Sequence, residues 1–80
     1  MQLHQNYLFD LGYLLRERAL EAKQEAQAAR GEAEDGFESG RLMAYYEVLS
    51  LLIQQAVTFE MPVGDLHLEG LDPDKDLLGI

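Results

Sequence analysis

Between Leu42 and Phe59 the chain reads LMAYYEVLSLLIQQAVTF, and the width of this apolar stripe limits the fold more than any other feature. Read as a helix at about 100° per residue, Phe59, Leu52, Tyr45, Ala56, Leu49, Leu42, Ile53, Tyr46 and Val57 share one face spanning about 180°. Val48 lies at the edge of that face. The opposite face holds Glu47, Gln54, Thr58, Ser50 and Gln55, with only Leu51 out of place. A helix that contacts one neighbour needs a stripe of about 100°. More than one surface must therefore cover this one.

The first of those surfaces lies upstream. From about Asn6 to Arg30 the apolar positions Leu8, Leu11, Leu15, Ala19, Ala22, Ala26 and Ala29 step by three or four, which is helix periodicity. The stripe passes from leucine to alanine, and the small side chains let a neighbouring helix approach closely. Gly12 costs about 1 kcal/mol inside a helix and marks either a close approach by the tail or a local bend. The link GEAEDGFESG offers Gly31 as a left-handed helix end. It also offers Asp35 with Glu38 as a capping box, Ser39 being the rival cap. So short a connection makes the helices antiparallel neighbours. The chain reads as one small all-α domain over 1–80: helix at about 6–30, turn at about 31–35, helix at about 36–59, tail at 60–80. This is an antiparallel αα-hairpin with an irregular C-terminal tail.

Packing against the first helix alone would leave several large side chains of the stripe in water, each forfeiting about 1.5–3 kcal/mol. The sum rivals the ~5–15 kcal/mol stability of a whole domain. Either the tail folds back over the surplus, or a second copy covers it, or both. Tyr45 and Tyr46 lie about 100° apart and turn toward different neighbours, each filling an apolar contact with its hydroxyl at the edge.

The tail, MPVGDLHLEGLDPDKDLLGI, carries too many apolar residues for a solvated linker. Pro62 stops the second helix. Asp72 and Pro73 read as N-cap and first residue of a last helical turn, with Asp74 and Asp76 at its positive end. The tail is expected to pack around the hairpin's open end or to reach across to a partner.

A chain of 80 residues buries only about 60% of its unfolded surface, and such chains often need a staple. There is no cysteine, which removes disulfides and thiolate metal sites and leaves oligomerisation. The net charge of −9 falls entirely on the second half of the chain, in Glu32, Glu34, Asp35 and Glu38 and in the tail. No basic stripe exists for nucleic acid. Glu47, Gln54 and Gln55 break the one run that approaches membrane-spanning length. MQLHQNYLFD has no basic leader region and is interrupted by Asp10, so a cytoplasmic protein is expected.

Chemical motifs are sparse. DPDKD sets Asp72, Asp74 and Asp76 at alternate positions like a calcium loop, but Leu77 stands where that loop needs glycine. His4 and His67 have no metal-ligand spacing. Ser39 and Ser50 lack a base at nucleophile spacing, and Gly31, Gly36 and Gly40 form no phosphate loop. No cofactor or metal and no catalytic residue is expected. The run GRLMAYYEVLSLLIQQA, with FES before it and DPDKDLLG near the end, resembles short helical-hairpin proteins of bacteria, chiefly proteobacteria. That resemblance implies a bacterial cytoplasmic protein and carries no functional residue.

The expectation is a non-enzymatic, self-associating interaction or assembly protein, a homodimer closing a four-helix bundle. Its interface would be Leu42, Tyr45, Tyr46, Leu49, Leu52, Ile53, Ala56, Val57 and Phe59. An acidic subunit that binds a basic protein partner is the main alternative. A small-ligand or enzymatic site between subunits, built from groups such as Tyr46, Glu47 and His67, is the third.

Overall fold

The computed structural model describes residues 2–80. Two long helices, α1 (Leu3–Ala28) and α2 (Asp35–Thr58), form an antiparallel hairpin. A 3-10 turn (Val63–Leu66) and a short helix, α3 (Pro73–Leu78), make up the tail, and the described residues contain no strand.

The turn between α1 and α2 is built differently from the capping box expected at Asp35. Glu34 precedes the helix without a side-chain cap, and Asp35 is already helical. The Asp35 carboxylate instead accepts from the Gly31 amide at 3.1 Å and from the Ser39 hydroxyl at 3.2 Å. It ties the turn back onto the helix start, with Gly31 in the left-handed region at φ +82°. This arrangement at Asp35 has a simple cause. An amide freed by the left-handed glycine lies within reach, and a carboxylate satisfies it as well as it would a helix end.

α2 ends in a reciprocal pair of backbone bonds, Met61 N–H to Ala56 C=O at 2.7 Å and Glu60 N–H to Val57 C=O at 3.1 Å. Glu60 occupies the left-handed position, φ +54°, that glycine usually fills. Pro62 then directs the chain back. Asp72 caps α3 as its sequence indicated, accepting from the amides of Asp74 and Lys75.

The tail folds back over its own hairpin. The buried cluster joins Ala19, Leu49 and Ala56 of the hairpin to Leu66, Leu68 and Leu77 of the tail. The largest fully buried side chains are Leu49, Leu68 and Leu77, two of them from the tail. Ala19, Ala22 and Ala26 are buried against α2, the narrow end that the alanine stripe indicated. Gly12 lets the tail approach: a Cβ there would sit 1.7 Å from the Leu66 carbonyl oxygen.

The molecule measures 45 × 23 × 16 Å. Helices pack about 8–10 Å apart, so the short dimension is the hairpin plus a single layer of tail. Among the described residues no further element packs on the hairpin's other side.

Candidate interaction surface

One side of the hairpin is closed by specific contacts. On α1, the ring of Phe9 stacks on His67 at 4.3 Å and that of Tyr13 at 5.1 Å. Arg16 donates to the carbonyl oxygens of His67 at 3.2 Å and Glu69 at 3.0 Å. Phe9, Gly12, Tyr13 and Arg16 thus form the tail-facing side of α1. On α2, Tyr46 donates to Asp74 Oδ1 at 2.5 Å, and Ile53 lines the same junction. This hydrogen bond, together with partial burial and the charge of Asp74, raises the Tyr46 phenol above its ordinary pKa of 10.0.

The opposite side carries large apolar side chains without a cover. On α1, Leu3, Tyr7, Leu11 and Leu14 lie about 160° around the helix from the tail-facing residues. On α2 and just past its end, Val48, Leu51 and Phe59 lie roughly 120–160° around from Tyr46 and Ile53. Tyr7 is 66% exposed, Leu51 56% and Phe59 74%. All of these residues are exposed at the surface.

The turn end of the same side is charged. Arg41 of α2 bridges to Glu25, to Glu38 at 3.4 Å and to Glu21 at 3.9 Å, with its guanidinium over the Tyr45 ring at 5.8 Å. Burial weakens its charge, but Glu25 and Glu38 outweigh that effect and hold the guanidinium above its ordinary pKa. Arg41 reaches both Glu21 and Glu25, so it lies level with Lys23. Stepping equally along antiparallel helices sets Leu14 level with Ser50, Leu11 with Ile53 and Tyr7 with Val57. Beyond the ion pairs, Glu25, Glu32, Glu34 and Glu38 border an open depression of about 550 Å3.

The residues expected at the interface are divided by this arrangement. Leu49 and Ala56 are buried within the chain itself. Leu42, Tyr45, Tyr46, Leu52 and Ile53 are partly buried and pack against the core. Val57 and Phe59 are exposed, but Val57 lies beyond Tyr46, away from the uncovered side. Much of the stripe is therefore covered within the chain, by α1 and the tail together. On the uncovered side Phe59 is joined by Val48 and Leu51, which the periodicity puts at the edge of the apolar face and outside it. The pairing of Phe9 with Tyr13, off the leucine stripe of α1, is the signal that a further element packs there.

Within one chain Tyr46, Glu47 and His67 do not converge. Tyr46 is held by Asp74, Glu47 is exposed, and His67 sits in the aromatic pair with its Nδ1 buried and without a hydrogen-bond partner. The three aspartates of DPDKD have structural partners: Asp72 and Asp76 close the α3 cap, and Asp74 takes the Tyr46 hydroxyl. Among the described residues no group of three or more His, Asp or Glu is placed to hold a metal, and no helix is long and apolar enough to cross a membrane. Comparison with protein-family models, curated proteins and solved structures gives no match.

Proposed function

We propose that this chain is a non-enzymatic, cytoplasmic interaction or assembly protein whose working form is a homodimer with a four-helix core. The observation that carries the reading is a surplus of surface. The chain exposes 5632 Å2. A compact monomer of its 9.1 kDa mass exposes about 4,900 Å2, so the surplus is roughly 700 Å2. One side of a standard protein interface buries about 800 Å2. The radius of gyration, 13.7 Å, likewise exceeds the roughly 11.6 Å of a compact domain of this length. Light scattering on the purified chain at tens of micromolar tests the reading. A dimer mass supports it, and a monodisperse monomer refutes it.

A second reading is favoured by the acidic border of the turn, where Glu25, Glu32, Glu34 and Glu38 surround one depression. In this reading the chain is an acidic subunit for a basic protein. Capture of a stoichiometric partner at moderate salt, lost at high salt, distinguishes it from self-association.

A further inference from the structure

We infer that the covering surface is a second copy seated on the tail-free side, with the two hairpins antiparallel so that their charged turn ends point away from each other. This rests on the self-association proposed above and adds the face and the orientation. The face is Tyr7, Leu11, Leu14, Val48, Leu51 and Phe59, rather than the α2 stripe, most of which α1 and the tail already cover.

Area identifies the occupant. The exposed parts of these six side chains and Leu3 amount to on the order of 800 Å2, what one partner of a stable pair contributes. Relief and charge select the orientation. Tyr7 and Phe59 project at the open end, whereas Leu11 is only 38% exposed, Leu14 42% and Val48 43%. An antiparallel pair sets the projecting rings of each copy over the lower aliphatic ground of the other. A parallel pair would set ring against ring. It would also set Glu21, Glu25 and Glu38 of one copy beside the same residues of the other, because a two-fold axis along the helices brings like to like. In the antiparallel pair the charged ends extend beyond the overlap and stay hydrated. The two-fold axis then crosses the face beside Gln55, the polar residue between Leu51 and Phe59.

The chain has no cysteine, so Ala44→Cys gives a single labelling site, exposed and toward the turn end. Ala44 lies eleven residues from Gln55, about 16 Å along the helix. Spin labels in the antiparallel dimer therefore sit about 35 Å apart, and in a parallel dimer under about 20 Å. A dimer with the short distance overturns the orientation and leaves self-association standing; a monomer at high concentration overturns both. The face is tested by two variants at exposed positions, with circular dichroism verifying that each remains helical. Leu51→Glu halves the mass, whereas Val57→Glu leaves it dimeric. The reverse outcome puts the partner on the α2 stripe and refutes the face.

Discussion

Gly12 and the Leu66 carbonyl occupy almost the same space: a Cβ at Gly12 would come within 1.7 Å of that oxygen, so the tail docks only on a bare α-carbon. Elsewhere in a helix, replacing glycine by alanine gains about 1 kcal/mol. Here the methyl group must displace backbone. Gly12→Ala is expected to destabilise the chain by about 1–3 kcal/mol, the usual cost of overpacking, and to expose the tail to protease before the hairpin unfolds. A melting temperature equal to or above that of the parent contradicts the close approach.

The tail is a wall of the core rather than an appendage. Leu68 is 1% exposed and Leu77 2%. Leu68→Ala should cost about 2–5 kcal/mol. In a domain this small each kcal/mol shifts the melting temperature by about 4–8 °C, so thermal unfolding reads the change directly. A shift of only a degree or two would mean that the tail is not docked in solution.

Glu60 holds a left-handed backbone, φ +54°, at the end of α2. That conformation costs an L-residue about 1–2 kcal/mol, partly offset in the comparison by glycine's greater freedom when unfolded. Glu60→Gly should stabilise by about 0.5–1 kcal/mol in chemical denaturation. Destabilisation would show that the Glu60 side chain contributes something the backbone geometry does not reveal.

Tyr46 connects stability to alkaline pH. Its phenol, bonded to Asp74, has a raised pKa in the folded chain relative to an ordinary value of 10.0. As pH rises the unfolded chain gives up this proton first. The stabilisation is complete below about pH 10 and is lost as pH climbs through the folded value. Tyr46→Phe removes this contribution. Urea midpoints of the two chains should differ at neutral pH and converge in strong alkali; a constant difference excludes the linkage.

The Arg41 network should respond to salt. Arg41→Gln leaves Glu21, Glu25 and Glu38 without their shared cation at the turn. The melting temperature falls most at low ionic strength, and the difference narrows as salt screens the carboxylates. Equal losses at both salt concentrations would assign Arg41 to packing over Tyr45 instead.

The parts of the fold that were legible in the sequence are those fixed by local chemistry. The 3.6-residue periodicity marks both helices, and Asp72 with Pro73 begins the third; the second closes at the left-handed Glu60, ahead of Pro62 rather than at it. The alanine end of α1 indicates close helix packing. The capping box at Asp35 was not legible because its carboxylate has rival partners in the Gly31 amide and the Ser39 hydroxyl, and spacing alone does not choose among them. What covers the apolar stripe was less legible for a deeper reason. Periodicity shows which side of a helix is apolar but not which neighbour covers it; Leu49 and Ala56 are buried between α1 and the tail of the same chain, and Tyr46 is bonded to Asp74 of that tail. Leu51, out of place on a helical wheel, is 56% exposed and lies outside the part of α2 that the chain itself covers.

Sedimentation equilibrium of the unmodified chain over a wide concentration range tests the central claim most directly. Self-association through the open side predicts a mass that reaches twice the 9.1 kDa of one chain and stays there. A mass that holds at one chain throughout the range would contradict it.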